Sequence, residues 1–209
     1  MKNLNFPFIF VLIILALFIG KLLTTQPSPE VNLATSDQIT PASLPGIQNS
    51  PSPWEPNITN LKDRLFAIGL PALSKEGNLQ HTHQHLEIYV NGNSVDIPAE
   101  IGINEAASFI APIHVHYTDS IIHVESPVKA DFTLGQFFDI WGVRFTNDCL
   151  GSYCTDDTQK LQLFLNGQEL TSNFRDLILE AHQEIVLTYG TPNQLPNPIP
   201  ATFNFPADL

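Results

Sequence analysis

The chain has 209 residues and a formal net charge of −12, from nine Lys and Arg against 21 Asp and Glu. Phosphate backbones need clustered cations, so this balance argues against nucleic acid as a partner, and the acidity reads as solubility. Two cysteines cannot form a Cys-type zinc cluster, and Met1, the only methionine, leaves no thioether ligand for Cu(I).

The chain begins MKNLNFPFIFVLIILALFIGKLL, an apolar run flanked by Lys2 and Lys21. About 20 residues span a bilayer. No Ala-x-Ala cleavage site follows the run, and it holds no cysteine to lipidate. Residues 1–23 therefore read as an uncleaved signal anchor, a transmembrane segment, rather than a cleaved signal peptide. Either reading puts the rest of the chain on the extracytoplasmic side, periplasmic or extracellular. Residues 24–57 carry seven prolines among Ser, Thr and Asn, the composition of a flexible tether. The globular domain is expected over 58–209.

Leu61, Leu65 and Ile68 have helical spacing, and Gly69-Leu70-Pro71 ends that segment, which predicts a helix over 59–68. His81–Val90 alternates as a strand, and Asn91-Gly92 turns it into Ser94–Ile97. Ile113–Tyr117 and Ile121–Glu125 form a second predicted hairpin about Thr118-Asp119. Thr133 can cap a helix over Leu134–Trp141, with Leu134, Phe137, Phe138 and Trp141 on one face. A loop with Cys149 and Cys154 follows. In an exported domain these two form a disulfide by default. Lys160–Leu165, a turn at Asn166-Gly167 and a last strand over Glu184–Tyr189 complete the elements. Phe203 and Phe205 are expected to dock the proline-rich C-terminus on the core. The order predicts an α+β fold: a small mixed or antiparallel sheet of hairpins with one main packed helix, β-grasp-like. LEIYVNGNSV and LQLFLNGQEL look alike, which two ordinary hairpins explain.

Six of the seven histidines lie between residues 81 and 123. If Thr118-Asp119 is a two-residue turn, His114 opposes His123, and opposed residues share a face. His114, His116 and His123 then lie on one face, with Glu125 beyond them and Val115, Ile122 and Val124 on the other. Three imidazoles so placed can converge on one zinc or copper(II) ion. A hydrogen-bonded polar face without metal is the alternative. His81, His83 and His85 also share a face with Glu87, but same-face neighbours are about 6.7 Å apart, so one ion cannot easily take all three. If this strand pairs with the hairpin, the patch holds one ion with supporting histidines, or two ions. Glu87 and Glu125 would orient imidazoles or ligate directly. His81, at a strand end, is the weakest ligand. His182 reads as a turn residue away from both clusters.

HTHQHLEIYVNG, IPAEIGI, IHVHYTDSIIHVES, FTLGQFFDIWGV and EIVLTYG together resemble a family of uncharacterised bacterial and archaeal proteins, exported or membrane-anchored. The likeness covers about residues 60–206 and implies one intact domain outside the membrane, with no function to carry over. Where His-Thr-His-Asp is expected in that family, this chain has His114-Val115-His116-Tyr117, and the acidic residue moves to Asp119.

No Gly-rich phosphate loop, Gly-x-Ser-x-Gly or His-Glu-x-x-His is present. Asp148, Asp156 and Asp157 match no EF-hand spacing. The leading expectation is a membrane-tethered metal-binding protein. It would hold copper(II) or zinc through His83, His85, His114, His116, His123 and His81, for sequestration or exchange with a metal donor or acceptor protein. The alternatives are a histidine-ligated metalloenzyme for hydration, hydrolysis or oxygen chemistry, and a metal-free interaction domain.

Overall fold

A computed structural model of the chain describes residues 43–207 and Leu209. The expected signal anchor and the first part of the tether lie outside the described residues. Among the described residues no helix is long and apolar enough to cross a membrane.

Alternation decides which side of each strand meets the core. In β1 (Gln80–Val90) the residues Leu86, Ile88 and Val90 face the hydrophobic cluster, and His81, His83, His85 and Glu87 take the other face. Asn91 and Gly92, both at positive φ, turn the chain into β2 (Asn93–Val95), which pairs with the C-terminal half of β1. A small hairpin of β3 (Ile103–Asn104) and β4 (Phe109–Ile110) stands apart from the main sheet. β5 (Ile113–His114) and β6 (Ile121–Ser126) follow, and β6 pairs with the N-terminal half of β1.

The Cys149–Cys154 disulfide joins β7 (Cys149–Leu150) and β8 (Tyr153–Cys154). β9 (Lys160–Leu165) and β10 (Gln168–Leu170) form the second long hairpin, and β11 (Glu184–Gly190) returns between β9 and β1. The β1–β11 pairing is parallel and the others are antiparallel. The seven-stranded sheet runs β10-β9-β11-β1-β6-β5, with β2 beside β1. The fold is α+β, as expected.

Two helices cover the core face of the sheet. α1 (Leu61–Ala67) contributes Leu61 and Leu65. α2 (Leu134–Trp141) contributes Leu134, Phe137, Phe138 and Trp141, the stripe expected from the sequence. Thr133 and Gln136 form a reciprocal capping box at its start, and Gly142 ends it in the left-handed region at φ 82. A Cβ at Gly142 would also lie 3.0 Å from the Arg64 guanidinium carbon.

Two expectations need correction. The first is the tether. Its described part, residues 43–57, is packed onto the domain, with Leu44 and Trp54 buried. Trp54 meets Trp141 edge to face, and its indole N–H donates to Ser50 O at 2.9 Å. Buried Arg64 donates to Pro45 O, Asn57 O and Ile140 O, tying this segment to both helices. The second is β5, expected to run to Tyr117. Its pairing with β6 stops at His114, and the Val115 N–H bonds to Ile101 O on the other side of the strand.

Candidate metal centre

Strand pairing across β1, β6 and β5 builds the site. His83 pairs with His123, and His123 pairs with His114, so three imidazoles form one row on the face opposite the helices. His81 pairs with Glu125 in the next row. His116, just past the end of β5, folds back over the row, with its ring 4.7 Å from that of His123. His83, His114, His123 and Glu125 are all buried, and His114 is 0% exposed.

The backbone sets the His114 tautomer. Its Nδ1 lies 2.9 Å from Ala111 O, and a carbonyl only accepts, so Nδ1 carries the proton and Nε2 keeps a lone pair. That Nε2 faces His116 Nε2 at 3.0 Å. Two nitrogens bound tetrahedrally at zinc distances stand about 3.3 Å apart, so this pair is already near the edge of a coordination sphere. Glu125 Oε1 lies 3.1 Å from His81 Nε2 and 3.4 Å from His123 Nδ1. The second contact lacks hydrogen-bond geometry. His123 Nδ1 and His83 Nε2 are buried nitrogens without a hydrogen-bond partner, and such atoms are costly unless something binds them.

Two donor sets emerge. His114, His116, His123 and Glu125 form one, and His81, His83, His123 and Glu125 form the other; within each, one ligand atom per residue lies within 4.8 Å of all the rest. The electrostatics favour metal-ready donors. Burial lowers the His114 imidazole to about 3, helped by the neighbouring His116. Burial, with His123 and His81, lowers His83 to about 4. Burial and His123 also lower His116. Burial alone would raise the Glu125 carboxyl, but the close His123 ring, with His114 and His81, brings it down to about 2. At neutral pH His83 and His114 therefore offer uncharged imidazoles beside the Glu125 carboxylate, nitrogen and oxygen donors suited to zinc or copper(II). Both cysteines are in the disulfide, so no thiolate is available among the described residues.

His85 stands apart from the row. Its Nδ1 bonds to Glu184 Oε2 at 2.8 Å, and Glu87 Oε1 is 4.0 Å away, with Tyr89 donating to Glu87. These three acidic and imidazole side chains form a third, smaller group. Phe203 stacks on the His85 ring at 3.7 Å, so the C-terminal segment docks on this face rather than on the core.

Sequence reasoning missed Glu184 and Glu76; the latter lies 3.5 Å from His116 Nε2. Glu184 reaches the site only through the parallel β1–β11 pairing, which no local pattern signals. His182, expected away from both clusters, lies beside the His83 strand. It does sit in a turn at positive φ, but its N–H bonds to His83 O at 2.7 Å. Its ring stacks on Phe205.

Comparison of the chain with protein-family models, with curated proteins and with solved structures gives no match. The functional reading therefore rests on the donor geometry.

Proposed function

We propose that this chain is a membrane-tethered, extracytoplasmic protein that binds copper(II) or zinc through strand histidines, for sequestration or for exchange with a partner protein. One observation carries the reading: the cross-strand row His83–His123–His114, joined by His116 and Glu125 into donor sets of ionic dimensions. A polar face without metal would pair its imidazoles with hydrogen-bond partners, whereas here two buried ring nitrogens have none. The apolar N-terminal run supports the tether and the exported side. The order β2-β1-β11-β9-β10, with α2 on one face, supports a β-grasp-like description of the domain, extended by β6 and β5. The resemblance to exported and membrane-anchored proteins points the same way.

The test is elemental analysis of the untagged full chain, purified in detergent from the exported compartment. At least about one equivalent of copper or zinc is expected, with loss of stoichiometric binding in the His114→Ala/His123→Ala variant. Full retention in that variant overturns the reading. So does a metal-free protein that takes up neither ion on titration.

A further inference from the structure

The two donor sets share residues without merging. His123 and Glu125 belong to both, His114 and His116 to one, and His81 and His83 to the other. Ligand atoms of a single ion lie at most about 4.2 Å apart, twice a metal–nitrogen bond. Within each set the atoms lie within 4.8 Å of one another, so small side-chain shifts would close each around an ion, but the sets do not combine into one group. Five imidazoles and a carboxylate also exceed the four ligands of a tetrahedral ion. One ion in the His114 set therefore leaves His81 and His83 over.

His83 is not explained by support of that ion. Its Nε2 is buried and has no hydrogen-bond partner, and the side chain is itself buried beside the shared residues. A histidine that merely braced its neighbours would spend that nitrogen on a hydrogen bond. His81 completes the set from the solvent side, with Nε2 already 3.1 Å from Glu125 Oε1. The geometry mirrors itself about β6. The His83 ring is 4.6 Å from His123 on one side, and the His116 ring is 4.7 Å from it on the other.

We infer that the centre holds two divalent transition ions, one between His81 and His83 and one between His114 and His116, bridged through the Glu125 carboxylate, with His123 completing one of the two coordination spheres through a single ring nitrogen. This rests on the metal-binding reading above. A carboxylate shared by two ions fits the spacing of about 3.5–4 Å seen in two-metal sites. The two positions also differ in access. His81 is exposed, whereas His114 is fully buried, so the His81–His83 position exchanges with solvent or a partner first.

Copper(II) is the probe. The metal-free full chain in detergent is titrated with it, the bound ion is counted, and the paramagnetic resonance spectrum is integrated. Two equivalents are expected, with an integrated intensity well below two spins per chain, because bridged copper(II) ions couple. His83→Gln is expected to hold one equivalent with about one full spin. Wild type saturating at one equivalent overturns the paired centre and leaves metal binding standing. Two equivalents with two full, uncoupled spins overturn the shared bridge. No binding at all overturns the metal reading with it. The wild-type count and spin integral need no variant, so they decide the matter even if His83→Gln fails to fold.

Discussion

At the scale of single residues, the site keeps imidazoles neutral by burial. His83 is lowered from 6.5 to about 4, and His114 to about 3. A base with a lower pKa folded than unfolded makes the unfolded chain bind more protons between those values. Stability is then complete above about pH 6.5 and is lost as pH falls through 4 toward 3. Glu125, lowered from 4.5 to about 2, adds stability above 4.5 that is lost below it. The metal-free protein should show a urea midpoint that is level above pH 7 and falls steadily below 6.5. His83→Gln should flatten the part between 6.5 and 4. A midpoint unchanged down to pH 4 in the wild type would contradict buried neutral imidazoles. The residues responsible were legible where alternation and a hairpin register fix them, as with His114 opposite His123. Glu184 and His182 were not, because they arrive through a strand almost 100 residues along the chain, and local periodicity carries no record of that pairing.

At the scale of elements, the same distinction separates α2 from β5. The α2 helix has its signals within the segment: an N-cap, an apolar stripe and a closing glycine. Each is a short-range effect, so the sequence shows the helix with its boundaries. The capping box satisfies two otherwise unpaired backbone donors, with Gln136 N–H on Thr133 Oγ1 and Thr133 N–H on Gln136 Oε1. Thr133→Ala removes the first of these and should cost about 1 kcal/mol, read as a lower urea midpoint with an unchanged slope. An unchanged midpoint would mean that tertiary contacts alone hold the start of α2. β5 depends instead on two distant segments, one along each edge. Ile113 and His114 pair with β6, but Val115 turns to Ile101. His116, two residues past His114 and beyond the end of β5, reaches the candidate metal centre with its ring 4.7 Å from that of His123.

At the scale of the whole molecule, composition misleads about residues 43–57. Prolines and small polar residues resemble a tether because they bury little on their own. Here the segment is held by a few strong contacts to distant parts of the chain. Gln48 N–H bonds to Gly142 O at 2.8 Å, and Arg144 N–H returns a bond to Gln48 O at 3.1 Å. Arg64 donates to the carbonyls of Pro45 and Asn57. Trp54 is 1% exposed, set against Trp141 and Tyr153, and the Trp141 indole N–H donates to Trp54 O at 3.2 Å. A linker would lose almost nothing on substitution of its one tryptophan. A buried tryptophan in a core costs about 3–5 kcal/mol when cut to alanine, because both its apolar contacts and the space it filled are lost. Trp54→Ala should therefore lower the unfolding midpoint by an amount typical of a core position, and a fragment starting at residue 58 should be less stable still. Trp54→Ala with wild-type stability would return this segment to the role of a tether. The candidate metal centre lies across the sheet from Trp54, on the face opposite the helices. A folded Trp54→Ala variant should therefore keep its full complement of bound ion, separating the stability of the domain from the chemistry of the histidine row.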